Sequence, residues 1–377
     1  MNRPSLLLTF LLASLVALTS CSGGKAGTAS GSGDTLRLKY SSLLTIVRHD
    51  GYTDVTVSNP WKPGRVLHRY RLVPQEAAVP RQDDGVTIVR TPIRRASVFT
   101  TVHCSLLTQF GGGESIVGVA DLKYIKIPYI HERVRMGYIA DCGNGMNPVV
   151  EKIIDQKPDA ILLSPFENSG GYGKVEQLGV PLIECAEYME TSPLARAEWM
   201  RFYGLLFGRE QMADSLFHVV DSSYQALKQV AAQAKARPKV LIDKMVGSVW
   251  YVPGGRSTIG QMVADAGGYY PWGDDAHGGS LPLPFETVLE HSGDADIWLY
   301  RYSSDTQMTL AQLRDEHRGY VQLKAFNSGH VYGCNVEQSL FYEQTPFRPD
   351  WLLSDFIQIF HSDITNLPAP RYYRKME

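Results

Sequence analysis

The chain lacks most of the features that mark a specialised class. Charge of one sign is missing: 37 Lys and Arg stand against 39 Asp and Glu, a net of -2. No basic stripe is therefore available for a phosphate backbone, and no nucleic-acid partner is expected. Cysteine is scarce, five in 377 residues, and never in CxxC spacing, so neither a zinc site nor a redox motif is indicated. Gly and Pro are near average and no single-residue tract occurs, which excludes fibrous and disordered classes. Beyond the first twenty residues no apolar run is long enough to span a bilayer.

Catalytic signatures are missing too. Gly170-Gly171-Tyr172-Gly173-Lys174 fails as a phosphate loop, because its upstream Gly is absent and Val175 replaces the Ser or Thr that would hold magnesium. Gly255-Arg256-Ser257-Thr258-Ile259 fails as a nucleophile elbow, because Ile stands where a second Gly must permit the sharp turn. His131-Glu132-Arg133-Val134-Arg135 has no second His for a zincin helix. No enzyme activity, cofactor or metal site is expected.

What is present starts at the front. Asn2 and Arg3 form a basic start, and Leu6 to Leu18 form an apolar stretch too short to span a bilayer comfortably. Leu18-Thr19-Ser20-Cys21 then has the pattern of a bacterial lipobox, which makes Cys21 the expected lipidation site. Ser22 to Asp34 is rich in Gly, Ser and Ala, as in a flexible tether. The expectation is an exported lipoprotein on the periplasmic face of a membrane or at the cell surface. The other four cysteines, Cys104, Cys142, Cys185 and Cys334, fit either a disulfide or buried free thiols.

Residues 35–91 alternate Tyr, Val, Thr and Arg with turn signals at Asn59-Pro60 and Pro63-Gly64, which predicts an antiparallel β appendage. From residue 96 short apolar strands alternate with helical patterns, which argues for a parallel sheet covered by helices. A helix from about Arg209 to Lys235 is long enough to connect two lobes. The α/β alternation then restarts at residue 239. The chain divides into a signal peptide (1–20), a tether (21–34), the appendage (35–93), an N-terminal lobe (94–207), a linking helix (208–236), a C-terminal lobe (237–365) and a tail (366–377). The fold class is α/β, with the ligand cleft between two lobes joined by a single long helix.

Several segments recur together in order. Ser97 to Gly118 ends on a strand reading IVGV. Met146-Asn147-Pro148 leads through Glu151 into Lys157-Pro158-Asp159-Ala160, followed by Leu178 to Glu184 and the long helix. Ile259-Gly260-Gln261-Met262 and Pro284-Phe285-Glu286-Thr287-Val288-Leu289 follow in the second half. This set resembles the substrate-binding proteins of ABC importers for vitamin B12, iron-siderophores and haem, over residues 94–365. The resemblance implies two Rossmann-like lobes on a rigid helical backbone that closes only slightly on ligand. It also implies a monomer that delivers a small molecule to a permease dimer with its ATPase. The two docking carboxylates of such proteins match Glu151 and Glu286, each in a first helical turn where the helix dipole also favours an acid. The alternative is an exported enzyme or sensor on the same fold.

Segments at strand carboxyl ends face the cleft in open α/β sheets, and here they carry many aromatics. Tyr172, Trp250, Tyr251, Tyr270, Trp272 and Tyr302 are expected ligand contacts, as rings suit the flat surfaces of porphyrins, corrins and catecholates. His277 is a candidate ligand for haem iron. Arg301 and Arg348 suit an anionic iron complex through bidentate bonds, and they favour such a complex over cobalamin.

Overall fold

The computed structural model describes residues 33–80, 85–167 and 171–377. The lipobox and Cys21 lie outside them. Among the described residues no helix is long and apolar enough to cross a membrane.

The first unit is a five-stranded sheet in chain order: Asp34–Leu36, Leu44–His49, Tyr52–Ser58, Val66–Pro74 and Thr87–Thr91. Alternation is clear in Leu44–His49, where Leu44 and Ile46 are buried and Thr45 is exposed. Three pairings are antiparallel, the one between Tyr52–Ser58 and Val66–Pro74 across the turn signals at 59–64. The last is parallel, with Tyr70 facing Thr87.

The N-terminal lobe holds an all-parallel sheet in the order Leu182–Glu184, Ala160–Leu163, Ala96–Val98, Ile116–Val119, Ala140–Asp141. Strands 116–119 and 160–163 are buried throughout, as strands covered on both faces must be. One 22-residue helix, Glu210–Ala231, leads to the second lobe. At 1.5 Å per residue it is about 33 Å long.

The C-terminal lobe has parallel strands Val240–Ile242, Ile297–Tyr302 and Val331–Asn335. The tail does not stand apart from it. Arg374–Lys375 adds an antiparallel fourth strand, and Tyr372, Tyr373 and Met376 are buried. A small antiparallel sheet, Met245–Val246, Val249–Pro253 and Ser280–Leu283, caps this lobe. The sequence pattern did not reveal it, because Pro253 and Pro282 interrupt the alternation.

The appendage is fastened to the N-terminal lobe through buried carboxylates. Backbone N–H groups of Lys39, Tyr40 and Ser41 donate to Glu198 at 2.8–2.9 Å. Those of Ser42 and Leu43 donate to Glu190 at 3.1 Å. One apolar core runs from Leu44 and Val55 of the appendage through Trp199 and Phe202 to Phe356. The two lobes also touch directly: Thr101 Oγ1 and the Lys126 N–H both donate to Glu343 at 3.2 Å, and Lys126 pairs with Glu337.

Candidate functional site between the lobes

The carboxyl ends of the N-lobe strands open onto a cavity of about 680 Å3. Strand 96–98 delivers Phe99 and Thr100, and strand 160–163 delivers Leu163 and Phe166. Asp121, in left-handed backbone at φ 52°, accepts from the Gly145 N–H at 3.0 Å and so holds the turn bearing Met146 against the cavity. Tyr172 and Tyr188 close the wall. The lining is mainly apolar, with Asp121, Asn147 and Lys174 as polar points.

A second cavity of about 280 Å3 lies where the lobes meet. The N-lobe contributes Val102 and Arg196, and the C-lobe contributes Arg301, Phe341 and Tyr342. The start of the helix Thr258–Asp265, capped by the Ser257 hydroxyl, also lines it. Arg301 is held by a bidentate pair with Asp243 at 2.9 and 2.6 Å. Burial would lower its pKa, but Asp243 raises it well above the usual value. Arg196 differs. Among the described residues its guanidinium makes no hydrogen bond or ion pair, and its Nε is buried without a partner. The sequence signal for Arg196 was legible in outline: Ser192-Pro193 opens a helix just past the last N-lobe strand.

Of the nine residues expected at the ligand, Tyr172 and Arg301 line cavities. Three aromatics are corrected to the core. Trp250 is fully buried against Trp298 and Tyr320, with its indole N–H on the Ile242 carbonyl at 2.9 Å. Tyr270 is buried with its hydroxyl on the Pro253 carbonyl at 2.5 Å, and buried Tyr302 donates to Gln307 at 2.7 Å. Each satisfies a polar tip internally, which leaves nothing for a ligand. Tyr251, on the opposite face of the same strand, is exposed but outside both cavities. Trp272 is half-buried against Tyr270 and His291. Arg348 is also corrected: its guanidinium is spent on Asp350 at 2.9 and 2.6 Å and lies over the Trp351 ring. His277 is exposed and turned to Asp275 at 3.0 Å, beside Gly278 of the small cavity.

Beneath the cleft floor sits a buried polar cluster. His103, Cys185 and Glu187 bring a nitrogen, a sulfur and an oxygen within 4.8 Å of one another. The Tyr203 hydroxyl stands between two of them, 2.8 Å from His103 Nε2 and 2.9 Å from Glu187. The Tyr203 hydroxyl thus joins His103 to Glu187 at hydrogen-bond spacing, while the Cys185 thiol donates to the Ile183 carbonyl. Burial alone would push His103 down, but Cys185 and Glu187 reverse this and raise it to about 10. Burial would likewise raise Glu187, yet His103 holds it down to about 2. All four described cysteines are buried free thiols, and burial pushes Cys142 and Cys334 up to about 11.

Two α/β lobes, one linking helix, a cavity at the N-lobe strand ends and a smaller one where the lobes meet are the geometry of a ligand carrier. Residues 98–337 match the family model described as periplasmic binding protein. The chain belongs to that family. It is an exported binding protein of ABC transport, not an enzyme, with a permease as the partner its family implies. A lipoprotein of Methanocaldococcus jannaschii is 26% identical over 350 residues, covering 86% of this chain and 82% of that protein. The fold is similar to a periplasmic haem-binding protein from Pseudomonas aeruginosa, with TM-score 0.59 and 15% identity over 76% of this chain and 98% of that one. It is also similar to the vitamin B12-binding protein of Vibrio cholerae, with TM-score 0.53 and 15% identity over 71% and 97%.

Proposed function

We propose that this protein is anchored by lipid at Cys21 and captures an anionic iron complex, a siderophore or haem, for delivery to a permease dimer with its ATPase. The observation that carries the ligand class is the pairing of the two cavities. The larger is apolar enough to take a flat or greasy chelate. The smaller presents Arg196, which among the described residues has no hydrogen-bond or ion-pair partner and feels the more distant charge of Glu187, and which suits a carboxylate or catecholate. Cobalamin, which presents mostly amides, would make less of that charge.

For docking, Glu151 and Glu286 are each exposed in the first turn of a helix and hold no hydrogen bond or ion pair among the described residues. Exposed Val149 and Ile154 flank Glu151, a charge with an apolar rim of the kind that interfaces bury.

Calorimetric titration with haemin, ferric siderophores and cyanocobalamin tests the ligand reading. Submicromolar binding, about -8 kcal/mol or better, is expected for at least one iron complex. Arg196→Ala should weaken that binding by ten-fold or more while leaving cyanocobalamin unaffected. Binding of cyanocobalamin alone would overturn the assignment.

A further inference from the structure

The β appendage lies ahead of the matched family segment, yet a continuous line of hydrogen bonds runs from it to the wall of the large cavity. The Tyr172 hydroxyl, on the loop entering the turn Gly173–Leu178, donates to Glu184 Oε1 at 2.6 Å. The other carboxylate oxygen of Glu184 meets Nδ1 of His68, on the appendage strand Val66–Pro74, at 2.9 Å. The carboxylate fixes the tautomer: Nδ1–H donates to it, and Nε2 accepts from the Thr87 hydroxyl at 2.7 Å. The same strand grips Glu184 a second time, since the Glu184 N–H donates to the Tyr70 hydroxyl at 2.8 Å. His68 is stacked on that Tyr70 ring, centroids 4.3 Å apart and planes 12° from parallel.

Each link is held from two sides. Glu184 ends the edge strand of the N-lobe sheet and is 8% exposed, so its carboxylate has little water to turn to. His68 is locked by its stack and by Thr87. Tyr172 follows Gly171, which sits at φ 104°, a backbone region that L side chains rarely adopt. A tyrosine on such a loop has several rotamers open to it unless its hydroxyl is tied.

We propose that His68 and Glu184 are positioning residues for Tyr172, and that the appendage is thereby a working part of the ligand site. Resting on the reading of the large cavity as that site, the inference makes the appendage set the angle of one aromatic wall. The appendage is then more than a spacer.

The test places 3-fluorotyrosine at position 172 of the full chain in detergent and follows its fluorine resonance, alongside haemin titration. His68→Ala should shift or broaden the resonance and weaken haemin binding about five- to thirty-fold. His68→Asn, whose amide N–H can replace Nδ1–H, should restore both toward the wild-type values. Glu184→Leu removes the acceptor and should act like His68→Ala, and it serves as the second variant should His68→Ala fail to fold. An unchanged resonance in folded His68→Ala, or Asn acting no better than Ala, would overturn the proposal and leave His68 as simple packing on Tyr70. Failure of the wild-type protein to bind haemin counts against the ligand reading, while the fluorine resonance still decides the positioning chain.

Discussion

His103 and Glu187 show how much a single buried contact decides. His103 Nε2 lies 3.4 Å from Glu187, with both side chains almost fully buried. Removing one partner strands a charge, so Glu187→Ala should cost roughly 3–5 kcal/mol in urea unfolding. The pH dependence follows in sign. His103 is raised to about 10, so its contribution is complete below its unfolded value near 6.5 and fades as pH climbs to 10. Glu187 is held to about 2, so its contribution is complete above about 4.5 and fades as pH falls toward 2. Stability of the wild type should therefore decline between pH 6.5 and 10, and His103→Gln should flatten that decline. Trp250 makes a contrasting case. Trp250→Ala should destabilise by roughly 3–5 kcal/mol through a core cavity, yet the protein that remains folded should bind ligand with unchanged affinity.

Among the elements, the appendage and the lobe it grips form one mechanical unit. Glu198 is fully buried and its carboxylate receives three consecutive backbone N–H groups at 39–41. Bonds to a charged acceptor are the strong kind. Glu198→Ala should thus speed hydrogen exchange of the amides at 39–41 at least ten-fold and cost roughly 2–4 kcal/mol. Retained protection at those amides would show that the turn is held by its apolar neighbours alone. Sequence periodicity located the linking helix well: 209–235 was expected, and Glu210–Ala231 is observed. Its 3.6-residue apolar stripe is a local property. The parallel pairing of Thr87–Thr91 was not local, since nothing within five residues states which neighbour they meet.

For the whole molecule, the proposed anchor at Cys21 and the proposed docking carboxylates Glu151 and Glu286 lie far apart in the sequence. Cys21→Ala should release the protein from the membrane fraction or leave it unprocessed, because stable attachment takes more than one acyl chain. Charge reversal at Glu151 and Glu286 together should abolish uptake in cells while ligand affinity measured on purified protein stays within about two-fold. Normal uptake by the double variant would return both residues to helix capping.

The sequence by itself determined the two-lobed α/β plan and the linking helix, because each is written in neighbouring residues as apolar period and turn chemistry. Which loop aromatics face the ligand was decided only by tertiary structure. Adjacent residues on a strand point to opposite faces, so Trp250 went inward and Tyr251 outward once strand 249–253 paired with 280–283. Charge availability was decided the same way. Arg301 met Asp243 from 58 residues away, whereas among the described residues Arg196 kept no hydrogen-bond or ion-pair partner. A side chain's freedom depends on what the rest of the chain brings within about 3 Å of it, and local pattern does not contain that distance.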